Sequence, residues 1–140
     1  MLQKLKQRLK NQKGFTLIEL LAVIVILGII AAIAIPAIGS IIDNTRENAI
    51  KADAKLILNA AKLYEAEGHN IGATAVDEDE LGPYIDDVTT FTGTGSVAYT
   101  VKEVGGNLTI SGTGVKGDVK VKFEDDTMQT IDTAERVTGS

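Results

Sequence analysis

A single carboxylate stands at the start of a long apolar run. Glu19 directly precedes the uncharged stretch formed by residues 20–42. An ionised carboxylate in the hydrocarbon of a bilayer costs roughly 2.5 to 3.5 kcal/mol even on lenient insertion scales, and a buried carboxylate is tolerated when it is paired. The position of Glu19 therefore requires an explanation. One explanation is that its side chain extends to the membrane surface, because Glu19 lies close to the beginning of the apolar run.

Four consecutive acids at residues 77–80 have the composition of a metal site but not its spacing. Asp77 and Asp79 match two positions of a calcium-binding EF-hand loop, whereas Leu81 and Val88 occupy positions that require oxygen ligands. The segment fits a short helix better, with Asp77 as the N-cap and Glu80 completing a capping box before a Gly-Pro pair. We therefore expect no metal site. The alternative is a metal bound by the acids of residues 77–80 or of residues 124–126.

No catalytic or cofactor site is expected either. His69 is the only histidine and cysteine is absent, so the chain offers neither a thiolate nucleophile nor a zinc–thiolate site. The Gly-Thr-Gly segments at residues 93–95 and 112–114 are interpreted as turns, because neither opens a helix after a strand as a phosphate-binding loop does. The sequence therefore does not predict an enzyme.

The apolar run is long enough to cross a membrane. At about 1.5 Å per residue, residues 20–42 exceed the ~30 Å hydrocarbon core. The basic residues Lys4, Lys6, Arg8, Lys10 and Lys13 precede the run and most acids follow it, which predicts a cytoplasmic N-terminus. An ordinary signal peptide has a shorter apolar region that ends in small residues, so the stronger alternative is a plain single-pass anchor.

The formal net charge of −5 argues against nucleic acid as a direct ligand, because such affinity comes largely from Lys and Arg on phosphates. A local basic strip of Lys102, Lys116, Lys120 and Lys122 is the alternative. Lysines on exposed strands more often discourage aggregation.

The stretch KGFTLIELLAVIVILGIIAAIAIP is similar, nearly residue for residue, to the N-terminus of type IV pilins and pseudopilins. This resemblance implies cleavage between Gly14 and Phe15 by a prepilin peptidase, followed by N-methylation of Phe15. It also implies that Glu19 pairs with the Phe15 amine of a neighbouring subunit. Gly28 and Pro36 mark a kinked or partly unwound segment of the helix, since Pro lacks the N–H and Gly weakens a helix.

The same resemblance implies a function in assembly. The chain would be a single-pass protein of the cytoplasmic membrane that polymerises into a homo-oligomeric helical filament on the cell surface, for adhesion, twitching motility or DNA uptake. Its partners would be the peptidase, an assembly ATPase and a platform protein. The alternative within the family is the major pseudopilin of a type II secretion or competence machine. The alternative outside it is a monomeric membrane-anchored binding domain.

The expected fold is α+β, the pilin ladle fold, with one helix from about residue 15 to 67 on a small antiparallel sheet. The expected domains are a leader (1–14), a transmembrane and filament-core half-helix (15–42) and a globular head (43–140). A helical stripe of apolar residues should face the sheet, and Gly68 should cap the helix. Alternation predicts strands at VAYTVKEV, NLTIS, DVKVKFE and MQTI, separated by turns at residues 105–106, 112–117 and 125–126. The stripe comprises Ile50, Ala54, Ile57, Ala61 and Tyr64, widened by Leu56, Ala60 and Leu63.

Overall fold

The computed structural model describes residues 1–72, 74–86, 88–91 and 98–137, with the backbone alone at residues 9–13. The chain divides into two compact units, Met1–Ile41 and Ile42–Ser140. One long helix and one antiparallel sheet form an α+β fold, which confirms the predicted fold class. The turn expected at residues 93–95 and the start of the strand VAYTVKEV lie outside the described residues.

Helix α1 spans Leu2–Ala66. It contains the helix predicted from about residue 15 to 67 and also continues through the residues before it. Residues 1–14 are rich in Leu, Lys, Gln and Arg, which are good helix formers, and they contain no proline. Helical hydrogen bonding therefore extends through residues 2–14.

The C-terminal end of α1 carries the predicted glycine cap. Gly68 adopts a φ of +96°, its N–H donates to the Glu65 carbonyl at 2.9 Å, and the His69 N–H donates to the Tyr64 carbonyl at 3.3 Å. This pair of bonds is the Schellman motif. The His69 ring stacks on Tyr64 with centroids 4.2 Å apart, so the single histidine closes the helix end.

The sheet contains four described strands in the order β1-β2-β3-β4, and every neighbouring pair is antiparallel. The segment MQTI was wrongly expected to be a strand: it forms a turn that leads into a short 3-10 helix. The elements after α1 are β1 (Val76–Asp77), α2 (Glu78–Leu81), a 3-10 turn (Gly82–Tyr84), β2 (Tyr99–Val104), β3 (Asn107–Lys116), β4 (Val119–Thr127) and a second 3-10 turn (Ile131–Thr133).

The core of the second unit lies between the C-terminal part of α1 and one face of the sheet. Val119, Val121 and Phe123 of β4 are buried while Lys120 and Lys122 are exposed, as the alternation predicted. The helix contributes the predicted stripe, with Ile50, Ala54, Ile57 and Ala61 fully buried.

Two members of the predicted stripe do not reach this core. Leu56 is 48% exposed and Leu63 is 57% exposed, whereas Leu58 is buried. At about 100° per residue, Leu56 and Leu63 point well away from Ile57 and Ala61. Only one face of the helix contacts the sheet, so the widened stripe was too wide.

The glycines predicted to form a turn at residues 112–117 lie mostly inside strand β3. Gly112 and Gly114 belong to the strand, and the reversal occurs at Gly117, whose φ is +62°. A Cβ on Gly114 would lie 2.2 Å from Cγ2 of Ile50. Glycine at position 114 is therefore required by the close approach of β3 to α1.

Strand β4 likewise continues through the turn expected at residues 125–126. Asp125 has a φ of +55° within the strand, and the pairing register between β3 and β4 shifts near Gly112. A β-bulge produces such a shift without ending a strand. By contrast, the turn at Gly105 and Gly106 was predicted correctly, and both residues have positive φ as a two-residue hairpin of the mirror-image type requires.

Candidate functional site

The apolar segment of α1 is exposed on all sides within the described chain. Every large apolar side chain from Phe15 to Ile41 is exposed, and Phe15, Ile33 and Ile35 keep 69%, 70% and 69% of their surface. Burying one such side chain is favourable by roughly 1.5 to 3 kcal/mol. Contiguous apolar surface of this extent marks an interaction with lipid or with other protein.

Helix α1 has the length and composition of a membrane-spanning helix. The region Gly14–Ala66 is the one such stretch in the described part of the chain, and its most apolar window is unburied. All backbone N–H groups of a helix interior are satisfied internally, which is the condition for crossing hydrocarbon. The segment can therefore lie in a bilayer without another element.

Gly14, Phe15 and Glu19 all lie inside α1, in the first unit. Phe15 and Glu19 are four residues apart and so share one face of the helix. No ion pair among the described side chains includes Glu19, whose side chain is exposed. Within this helix the Phe15 nitrogen is a peptide N–H and carries no charge. The expected pairing of Glu19 with a Phe15 amine of a neighbouring subunit therefore stays a prediction.

Gly28 and Pro36 are also helical here. Pro36 has no N–H, so the carbonyl four residues earlier loses its helical donor. A Cβ on Gly28 would meet nothing within 4 Å, so no contact of the described chain requires glycine there. Both residues weaken the helix at this point, and the expectation that they kink or unwind it stays a prediction about the assembled state.

Sequence reasoning missed a charge cluster in the second unit. Glu47 accepts a hydrogen bond from Lys51 Nζ at 2.7 Å and another from Arg136 Nη2 at 2.9 Å. Lys51 Nζ also donates to the backbone carbonyl of Asp132 at 2.9 Å. The cluster ties the segment after β4 to α1. The i,i+4 spacing of Glu47 and Lys51 was visible in the sequence, whereas the pairing with Arg136 spans most of the chain and was not.

The cluster sets the protonation of its carboxylate. The hydrogen bond from Lys51 is the largest cause and lowers the pKa of Glu47. Burial opposes it by raising the pKa, and the hydrogen bond from Arg136 adds to the lowering, so that the pKa lies below its ordinary value. Its side chain is 22% exposed, so solvent screens these contacts only in part. Glu47 therefore stays ionised in mildly acidic solution and contributes stability there.

The acids considered as metal ligands have other partners. Asp77 caps α2 by accepting from the Asp79 N–H at 3.0 Å, and its own N–H donates to Glu80 at 3.2 Å. The capping box predicted from the sequence is thereby confirmed. Asp125 accepts from Ser111 at 2.8 Å and pairs with Lys102 at 2.9 Å. Among the described residues, no group of three or more His, Asp or Glu side chains gathers as a metal site would require.

The lysines of the suggested basic strip do not form a continuous surface of unpaired positive charge. Lys102 pairs with Asp125 and Lys122 pairs with Glu124. Lys102, followed by Ser111, lowers the pKa of Asp125, so this carboxylate stays charged beside the lysine. The neighbouring acids thus neutralise part of the strip, which weakens it as a phosphate-binding surface.

Fold and site together define a class of protein: a chain with one exposed, membrane-length N-terminal helix, a lone carboxylate near its start, and a small α+β head. Residues 9–35 match the family model described as the prokaryotic N-terminal methylation motif. No solved structure matches the chain.

Curated relatives extend this match. The chain is 43% identical over 56 residues to type II secretion system core protein G of Pseudomonas aeruginosa, covering 40% of this chain and 39% of the relative. It is 39% identical over 71 residues to a fimbrial protein of Pseudomonas aeruginosa, covering 51% and 46%. It is 42% identical over 72 residues to fimbrial protein Q of Moraxella bovis, covering 49% and 45%. The chain thus spans less than half the length of these relatives, and the matches confirm its resemblance to type IV pilins and pseudopilins.

Proposed function

We propose that this chain is the precursor of a structural subunit of a type IV pilus, which polymerises through its apolar N-terminal helix. The observation that carries the proposal is the exposure of every large apolar side chain from Phe15 to Ile41. Lipid covers this surface before assembly, and the helices of neighbouring copies cover it in a filament. The same surface therefore serves storage in the membrane and polymerisation.

Processing divides the chain into three parts under this proposal. A prepilin peptidase removes residues 1–14 by cutting between Gly14 and Phe15, and Phe15 is then N-methylated. Residues 15–42 form the transmembrane and filament-core half of the helix, and residues 43–140 form the head. The match of residues 9–35 to the methylation motif supports this assignment.

Glu19 selects the register of assembly. Removal of the leader gives Phe15 a terminal amine, and burial of that charge in an apolar filament core requires a partner. An incoming subunit that brings its Phe15 amine to Glu19 of a neighbour is favoured over one that leaves both charges unpaired. Gly28 and Pro36 make the helix compliant between these contacts and the head.

The partners and location follow from this role. Before assembly the subunit is a single-pass protein of the cytoplasmic membrane, and afterwards it lies in an extracellular filament that serves adhesion, twitching motility or DNA uptake. An assembly ATPase and a platform protein add and remove subunits. The subunit itself is not an enzyme, needs no cofactor and does not bind nucleic acid directly.

A second candidate function is that of the major pseudopilin of a type II secretion or competence machine. The similarity to type II secretion system core protein G favours it. The proposed N-terminal chemistry is common to both candidates, so long surface filaments would favour the pilus and short, cell-bound ones the pseudopilus. A monomeric membrane-anchored binding domain is the alternative of a different class.

The first test is the N-terminal mass of material sheared from cells. We expect sedimentable filaments whose subunits begin at N-methylated Phe15. An intact Met1 terminus confined to the membrane fraction would instead support the monomeric anchor and overturn the proposal.

The second test replaces Glu19 by Ala and counts filaments. Loss of the pairing leaves the Phe15 amine uncompensated, and we expect filament yield to fall by about tenfold or more. The matched control is Glu103→Ala, which removes one exposed carboxylate from strand β2 of the head. Normal filaments from Glu19→Ala would contradict the assigned role.

A further inference from the structure

The proposed cleavage site lies inside a continuous helix. Helix α1 runs from Leu2 to Ala66 without interruption, and Gly14 and Phe15 are both helical. In an α-helix each N–H donates to the carbonyl four residues earlier. The Phe15 N–H is therefore committed to the Asn11 carbonyl, and the Gly14 carbonyl accepts from the Ile18 N–H.

Hydrolysis of this bond needs both groups free. Water adds across the Gly14–Phe15 peptide: the Gly14 carbonyl carbon gains the oxygen, the carbon–nitrogen bond breaks, and the Phe15 nitrogen takes a proton. While the helix is intact, the carbonyl and the departing nitrogen are each held in a helical hydrogen bond. The closed helix is thus a poor substrate, and a locally opened one is a good substrate.

We propose that the peptidase cuts a locally opened form of α1 in which residues 11–18 leave the helix, and that Asn11 and Gly14 determine how often this form is populated. The inference rests on the processing proposed above. Gly has the poorest helix propensity after Pro, and Asn competes with the helix by bonding to nearby backbone groups. The two weak residues stand on the leader side of the scissile bond, and Asn11 is the acceptor that must release Phe15.

The position of the weak point relative to the apolar run supports the same inference. Opening a helix exposes backbone N–H and C=O groups, and each unsatisfied group costs several kcal/mol in hydrocarbon. Residues 10–13 are polar or charged, whereas residues 20–42 are uncharged and apolar. The free energy needed to open the helix is therefore small beside Gly14 and large one or two turns further along α1. This difference favours cleavage at the boundary between the polar and the apolar residues.

The test measures kcat/KM for cleavage of the full chain in detergent micelles by a prepilin peptidase, at substrate concentrations well below KM. Under these conditions the rate follows the population of the open form. Asn11→Ala strengthens the helix and should slow cleavage about threefold, whereas Asn11→Gly weakens it and should speed cleavage about twofold. Gln7→Ala is the control, because it lies outside the opened stretch and should leave the rate unchanged.

Opposite effects of Ala and Gly at position 11 separate helix opening from recognition of the Asn side chain, which both variants remove. If both variants slow cleavage, or if neither changes it, the inference is overturned although the processing stands. If the unaltered chain is not cut between Gly14 and Phe15, the proposed function itself fails. Hydrogen exchange gives an independent readout: the amides of Phe15 and Ile18 should be protected in the uncut chain, less so in Asn11→Gly, and absence of protection would overturn the inference.

Discussion

The two units of this chain use the same residue types in opposite ways. In Met1–Ile41, Ile33 and Ile35 keep 70% and 69% of their surface, whereas in Ile42–Ser140 the side chains of Ile50 and Ile57 are fully buried. The residue type alone therefore does not determine whether an isoleucine of this chain is exposed or buried. Strands β2 to β4 cover one face of the second part of α1, and no described element covers the first part. An apolar stretch of helix is therefore buried or exposed according to whether another described element of its own chain packs against it.

The contrast between the two units would be contradicted if truncation of a buried and of an exposed isoleucine changed the free energy of unfolding equally. We expect Ile57→Ala to lower the free energy of unfolding of the second unit by about 3 to 4 kcal/mol, because it leaves a cavity in a packed core. Ile24→Ala should change it by less than about 0.5 kcal/mol. Urea unfolding of the full chain in detergent, followed by tyrosine fluorescence, measures both.

The optical probe suits this comparison because all three tyrosines lie in the second unit and the chain has no tryptophan. A large effect of Ile24→Ala on the tyrosine signal would mean that the apolar segment stabilises the head. The contrast drawn between the two units would then be wrong.

A second comparison contrasts two glycines of the head. Gly114→Ala places a Cβ 2.2 Å from Cγ2 of Ile50, and Ile is stiff at that branch. We expect a loss of about 2 to 3 kcal/mol in unfolding free energy. Gly82→Ala, where nothing lies within 4 Å, is the control and should be nearly neutral.

The adjustment of Ile50 can be measured directly. A double variant with Ile50→Ala should lose less stability than the sum of the two single variants, because truncation of Ile50 makes room for the new Cβ. Strict additivity would show that the contact between β3 and α1 does not cause the loss.

The smallest expected effect concerns the charge cluster and its response to pH. Because the native pKa of Glu47 is lowered by Lys51 and Arg136, its contribution to stability is present above the unfolded pKa and is lost as pH falls through the native pKa. Glu47→Gln should therefore destabilise the head by about 1 kcal/mol at pH 7 and much less at pH 3. Urea titrations at the two pH values measure this difference.

Glu103→Gln, which changes an exposed carboxylate on β2, is the control for the charge itself. It should have little effect at either pH. An equal loss for Glu47→Gln at pH 7 and pH 3 would show that the ionised form of Glu47 does not stabilise the fold.

The local features of the head were predictable because a few neighbouring residues decide them. Gly68 had to cap α1, Asp77 and Glu80 had to form a capping box, and Val119, Val121 and Phe123 had to share one sheet face. Each conclusion depends on a short-range rule: a positive φ, a hydrogen bond three residues away, or alternation along a strand. The structure confirms all three.

The sequence by itself determined the apolar segment, its lone Glu19 and the class of protein, because these follow from composition and order along the chain. Only the tertiary structure decided that Gly112 and Gly114 are strand residues, that Leu56 and Leu63 face solvent, and that Arg136 pairs with Glu47. Each of these depends on which distant element approaches: β3 against Ile50, the sheet against one face of α1, and the C-terminal segment against Glu47. These contacts are made by residues that lie far apart in the chain, so no pattern among neighbouring residues predicts them.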